Sequence, residues 1–252
     1  MTALPLRRKT AATPARIVSI DSESEIYRDG SYLKLSPSWH AEESPFKVKQ
    51  IVKMLKRQNL SPATICDVGC GAGLVLAELQ PHLPGCECWG YDVSPEAIAM
   101  CAGRSNEHLH FRNHDIRRDE GDAFFDLLLM LDVFEHVEDY MGLVRAIRSK
   151  GKYKLFHIPL DLSVQAVARK NGLLRRRDDH AHLHYFTIET ALRTLTDVGY
   201  KLVDSFYTPR CLRVGDRLVQ KIARFPRKLC FALAPDVTVR VLGGYSLMVL
   251  AQ

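Results

Sequence analysis

The sequence predicts an α/β domain built on a doubly wound, seven-stranded, mostly parallel sheet, with an N-terminal helical cap and insertions after strands 5 and 6. Three observations carry that expectation. From residue 63 onward, short apolar runs alternate with stretches of helical periodicity, the pattern of successive β-α-β units. The first apolar run leads into Gly69, Gly71 and Gly73, which open a helix, as at the ligand-binding turn of such sheets. The chain has 252 residues, 46% apolar and 25% charged, enough to bury the core of one large domain without staples.

Residues 1–20 carry Arg7, Arg8, Lys9 and Arg16 with no acid before Asp21. Pro5 and Pro14 would break a targeting helix, so the segment reads as a flexible tail. Residues 21–60 read as the cap. Within it, Glu43 to Lys56 places Val48, Ile51, Val52 and Leu55 at helical spacing behind Ser44 and Pro45, a natural helix start. Residues 61–252 hold the sheet, with strands expected at Thr64 to Val68, Glu87 to Tyr91, Leu109 to Arg112, Ala123 to Met130, Lys152 to Ile158, Lys201 to Tyr207 and Tyr245 to Ala251. Helices should begin near Ala72, Ser94 and Glu138, and Glu189 to Val198 is amphipathic.

Segments 161–180 and 209–244 are too long for ordinary connections; the first reads as irregular, and both read as insertions of the kind that carry specificity. In the second, Leu218, Ile222, Phe225 and Leu229 recur at helical spacing among Arg217, Lys221, Arg224 and Lys228, until Pro226 interrupts the pattern. A lid or packing helix with a solvated basic face is preferred there over peripheral membrane contact through 214–233.

The bulk numbers exclude several classes. No apolar run reaches the length of a membrane-spanning helix, and a secretory signal is missing, so a cytoplasmic location is expected. The seven cysteines are scattered and lack paired zinc-type spacing, so reduced thiols are expected. His180, His182 and His184 alternate and would share one side of an extended segment, but no carboxylate at a defined spacing accompanies them, and no metal is expected. A net charge of +6 permits an acidic partner without requiring one.

The chemistry concentrates in "ICDVGCGAGLVLAEL". Glycines serve where the chain turns sharply and a ligand approaches the backbone. The competing reading is a dinucleotide fingerprint, but Leu74 stands where its third glycine would fall. Asp67, two residues before the first glycine, would repel a pyrophosphate and suits a ligand with an ammonium group. The turn therefore favours an amino-acid-bearing nucleoside.

These residues resemble motif I of the class I S-adenosylmethionine-dependent methyltransferases. "WGYDVSPEAIAM", "FRNHDI", "FDLLLMLDVFEHVEDY" and "HAHLHYFTIETALRTLTDVGYKLVD" follow in register, and the last two are similar to the type 11 and type 12 small-molecule members, over about residues 63 to 208. The resemblance implies a Rossmann-like methyltransferase fold with S-adenosyl-L-methionine as cofactor. It puts Asp67, Gly69, Gly71 and Gly73 at the methionine portion, Asp92 and Val93 at the ribose, Asp115 and Ile116 at adenine, and Leu131 near the sulfonium. His136 and His182 would lie nearest the reacting centre, where imidazole titrates near neutral pH. His157, at the end of the fifth strand, is either an acceptor contact or a satisfied core residue, and Trp39 either closes a lid over the acceptor or packs in the core.

The implied reaction is methylation of a small-molecule or glycan acceptor, oxygen preferred over nitrogen, with a histidine assisting deprotonation. A nucleic-acid acceptor is disfavoured: the chain lacks a basic platform interleaved with aromatics, and the position of an N-P-P-Y-type motif reads Asp132-Val133-Phe134-Glu135. A nicotinamide oxidoreductase and a non-catalytic cofactor-binding module are the rivals from other classes. The acceptor and the oligomeric state stay open.

Overall fold

The computed structural model describes residues 26–118, 123–209, 211 and 218–252. The expected tail at 1–20 and the start of the basic stretch at 214–217 lie outside the described residues. Seven strands form one sheet in the order β3-β2-β1-β4-β5-β7-β6. They span Thr64–Val68 (β1), Glu87–Asp92 (β2), Leu109–Asn113 (β3), Phe125–Leu131 (β4), Gly151–Pro159 (β5), Leu202–Thr208 (β6) and Ser246–Ala251 (β7). The first five are mutually parallel, whereas β7 inserts antiparallel between β5 and β6. The chain winds outward from β1 through β2 to β3, then returns to the other side of β1 with β4, so the strand order reverses there. A crevice opens outside the carboxyl ends at such a reversal, and it positions the site.

Both faces of the sheet are covered, so its central strands read as continuous apolar runs instead of alternating ones. On one face, Ile65, Leu127, Leu129, Met248 and Leu250 pack beneath Val48, Ile51 and Met54 of α2 (Ser44–Gln58) and Leu76 and Leu79 of α3 (Leu74–Leu79). On the other, Leu128, Met130, Phe156 and Val249 meet Leu143 and Val144 of α5 (Tyr140–Ala146) and Ala191 and Leu195 of α8 (Ile188–Asp197). Each buried Val, Leu, Ile, Phe or Met among these contributes roughly 1.5–3 kcal/mol relative to exposure. Local chemistry starts the helices, at Ser94 as expected. Ser94 accepts from the Ala97 amide ahead of α4 (Pro95–Cys101), and Thr187 with Thr190 forms a reciprocal capping box on α8. The N-terminal cap contributes α1 (Ser31–Leu35) and α2.

Two expectations about the insertions are corrected. Segment 161–180 is not irregular: it holds α6 (Val164–Ala168) and α7 (Gly172–His180). Neither helix buries a residue fully, so no apolar stripe existed for periodicity to reveal. Pro226 does not end the second insertion's helix, because α9 (Leu218–Leu233) runs through it before α10 (Pro235–Leu242). Among the described residues, no helix is long and apolar enough to cross a membrane.

Candidate active site

The site is built on the loops at the carboxyl ends of β1, β2 and β4. After β1 the backbone turns through positive φ at Gly69, Gly71 and Gly73. Two of these glycines make room for protein. A Cβ on Gly73 would lie 2.6 Å from the Phe111 ring and 2.9 Å from Cys101 Sγ, and one on Gly69 would lie 2.6 Å from Val133 Cγ2. Only at Gly71 does the turn face outward, with Trp39 Cε3 3.6 Å from the virtual Cβ, so Trp39 lies over the turn. At Gly69 and Gly73 the missing Cβ makes room for neighbouring side chains, and at Gly71 it leaves ordinary contact distance to Trp39.

Asp92 closes the turn from β2. Its Oδ2 accepts from the Gly71 amide at 2.9 Å and its Oδ1 from the Ser94 amide at 2.9 Å, while burial pushes its pKa up. Asp67 is different: its side chain is buried and Oδ1 has no hydrogen-bond partner. Burial raises its pKa from 3.8 to about 7, even with the Lys47 ammonium nearby pulling the other way.

A cavity of about 1140 Å³ opens over these loops. Asp67, Gly69, Gly71, Asp92, Val93, Asp115, Ile116 and Leu131 line it; Gly73 does not. Trp39, His136 and His182 line it as well, and His157 does not. At Asp115 both carboxylate oxygens already receive the Arg117 guanidinium, at 2.9 and 2.8 Å, which holds its pKa down.

At the end of β4, Asp132 adopts a left-handed backbone, φ 58°, rare for a non-glycine residue. Its carboxylate meets Lys47 Nζ of α2 at 2.8 Å and His157 Nδ1 at 2.6 Å, and His157 Nε2 meets Thr208 Oγ1 at 2.8 Å. Burial alone would raise the Asp132 pKa, but the His157 and Lys47 charges hold it well below the usual carboxylate range. His157 thus has both ring nitrogens engaged behind the cavity wall.

The facing wall joins two distant segments. A 3-10 turn, Phe134–His136, follows β4. The 181–184 segment is stapled to it: the Leu183 and His184 amides both donate to the Glu135 carbonyl, at 2.8 and 3.1 Å, and His136 Nδ1 pairs with the Ala181 carbonyl at 3.1 Å. The His136 and His182 rings consequently meet edge to face, 4.8 Å between centroids. His182 Nδ1 pairs with Asp161 Oδ2 at 2.6 Å, and Arg176 Nε sits 3.2 Å from the other Asp161 oxygen. Burial, then His182, push the His136 pKa down to about 3, so His136 is neutral near pH 7. The alternation of 180, 182 and 184 does not produce a triple-imidazole cluster: His184 Nε2 pairs with the Val137 carbonyl. Tyr27, Tyr32 and Trp39 form an aromatic cluster whose two tyrosine rings lie 6.1 and 6.4 Å from His136.

Sequence reasoning missed four contributors: Lys47, Tyr32, Glu135 and Asp161. Lys47 shares the inward face of α2 with Ser44, Ile51 and Met54, but its residue type ordinarily means solvent. The "FEH" order did carry a signal, since Glu135 precedes a histidine already selected.

A family model described as "Methyltransferase domain" matches residues 40–205. A ubiquinone biosynthesis O-methyltransferase of Rickettsia bellii is 27% identical over 136 residues, covering 47% of this chain and 56% of that one. Nodulation protein S of Sinorhizobium fredii is 26% identical over 140 residues, covering 54% and 62%. The matched stretch thus spans somewhat over half the length of these curated relatives. Among solved structures, the plantazolicin methyltransferase BpumL in complex with SAH superposes with a TM-score of 0.61 at 18% identity, covering 91% of this chain and 93% of that one, a likeness of fold.

Proposed function

The chain belongs to the methyltransferase domain family, and from that premise we propose that it binds S-adenosylmethionine across the carboxyl ends of β1, β2 and β4 and methylates an oxygen of a small-molecule or glycan acceptor. The observation that carries the reading is Asp67, a buried carboxylate on the cavity wall with an oxygen lacking any partner. An isolated charge there is costly, and a cationic amino group of a ligand would compensate it. Asp92 has both oxygens fixed by backbone amides, which orients its remaining lone pairs for a diol such as ribose. Ile116 and Leu131 offer apolar wall for a nucleoside, and Asp115 is assigned to the exocyclic amine of its base.

The bound cofactor supplies an electrophilic methyl on a sulfonium. The remaining tasks fall to this chain: to hold the acceptor oxygen in line, exclude water and assist loss of its proton. Trp39, packed edge-on against Tyr32, supports the second task by lying over Gly71. The His136 and His182 pair is assigned the third, because Asp161 fixes the tautomer of His182 and so leaves its Nε2 as the acting nitrogen. The 25–27% identity to an O-methyltransferase of ubiquinone biosynthesis supports oxygen as the acceptor atom.

Titration calorimetry with S-adenosylmethionine and, separately, with NADH tests the reading. Binding of the first alone, lost in Asp92→Ala, is the expected result. Preference for NADH, or no binding of either, overturns it.

A further inference from the structure

The facing wall contains an arrangement that methyl transfer does not by itself require. Glu135 is 1% exposed, and neither carboxylate oxygen has a hydrogen-bond partner beyond the residue's own amide. His136 Nε2 lies 3.8 Å from Glu135 Oε1. One nitrogen or oxygen from each of Glu135, His136 and His182 lies within 4.8 Å of the others.

The groups behind these three are arranged as metal sites require. A ligating imidazole is characteristically oriented by a carboxylate or a backbone carbonyl on its second nitrogen. Here His136 Nδ1 pairs with the Ala181 carbonyl and His182 Nδ1 with Asp161, itself held by Arg176. Nε2 is therefore the ring nitrogen left to each histidine. Two imidazoles and one carboxylate form the donor set of open divalent sites for zinc, manganese, iron or cobalt. Ligands about 2.1 Å from an ion stand roughly 3.5 Å apart in a tetrahedron, so small side-chain rotations close this cluster.

We propose that Glu135, His136 and His182 bind a divalent first-row transition-metal ion, and that its open coordination positions receive an oxygen of the acceptor. Both histidines line the cavity while Glu135 lies behind them, so the open side faces the cavity. An ion here accounts for the orphaned carboxylate and for the stapling of residues 181–184 onto the 134–136 turn. It also deepens the reading above, on which only the acceptor contact rests: His136 and His182 assist deprotonation through the ion, a Lewis acid on the acceptor oxygen.

The test uses untagged full-length protein, stripped with chelator and dialysed in turn against zinc, manganese and cobalt salts. Bound metal per chain is measured by mass spectrometry, and affinity by competition with a chromophoric chelator. S-adenosylhomocysteine binding is measured on every variant as a check of fold. We expect about one ion per chain, with Glu135→Gln and His182→Gln each weakening it at least 100-fold and Asp161→Asn weakening it about 10–100-fold. Cofactor-product affinity should stay within about twofold throughout. Absence of retained metal in the unmodified protein overturns the proposal even if a variant fails to fold. So does an affinity unchanged in Glu135→Gln and His182→Gln, or one lost instead with His40→Gln on the cavity rim. Metal binding without S-adenosylhomocysteine binding supports the metal site and refutes the cofactor reading, whereas the reverse result refutes the metal site alone.

Discussion

Asp67→Asn should make the ligand-free protein more stable while destroying its affinity for cofactor. The side chain is 2% exposed and its pKa lies at about 7 instead of 3.8, so keeping it ionised in the fold is unfavourable. At about 1.36 kcal/mol per pH unit, that displacement corresponds to on the order of 4 kcal/mol above pH 7. The sign follows from linkage. A carboxyl whose folded pKa exceeds its unfolded value imposes no penalty below the unfolded value, accumulates one as pH rises, and reaches the full amount above the folded pKa. Asparagine keeps the shape and loses the charge, so its advantage should be near zero at pH 4 and about 4 kcal/mol at pH 8, roughly 10 °C in melting temperature. Urea unfolding of both proteins at several pH values measures this. Titration calorimetry measures the complementary loss, expected to exceed about 100-fold for a desolvated carboxylate–ammonium contact. An advantage that does not grow with pH, or unchanged cofactor affinity, would refute the assignment of Asp67.

Other consequences are direct. In the unmodified protein, S-adenosylmethionine affinity should fall about tenfold per pH unit below pH 7, because the cation requires Asp67 ionised; calorimetry between pH 5.5 and 8 checks it. Gly73→Ala combines a positive φ with a 2.6 Å approach to Phe111 and should cost about 2–4 kcal/mol, read as a fall in melting temperature. Lys47→Met leaves Asp132 with His157 alone in a buried setting and should cost about 3–5 kcal/mol by denaturant unfolding. Thr208→Val removes one partner of His157 and should cost about 1–3 kcal/mol, with little change in cofactor affinity by calorimetry.

The sheet was legible because its signal is collective. Runs such as Phe125–Leu131 are apolar on both faces, and the observed strands depart from the expected ones by no more than two residues at either end. The glycine turn was legible for a similar reason: sharp backbone reversal leaves a residue-type record. What escaped notice was polar. The helix at Gly172–His180 has no buried face to mark it, and Pro226 is tolerated in a helix on a stretch where Phe225 is 76% exposed. Lys47 carries the residue type of a solvent position yet lies against Asp132. His136 and His182 were expected together near the reacting centre, but their edge-to-face meeting depends on contacts of the Glu135 carbonyl with Leu183 and His184, far along the chain, which no local pattern encodes.

The antiparallel β7 also dictates an order of assembly. Until Ser246–Ala251 have been synthesised, β6 has no neighbour at all and β5 presents a bare apolar edge on its outer side. A nascent chain emerging from the ribosome would therefore hold a five-stranded parallel sheet in waiting, with the exposed flank that invites pairing between molecules. Six consecutive buried residues in β7 seal that flank in one step. Removal of Ser246–Ala251 should thus act like the removal of a keystone, and should show itself as aggregation during expression.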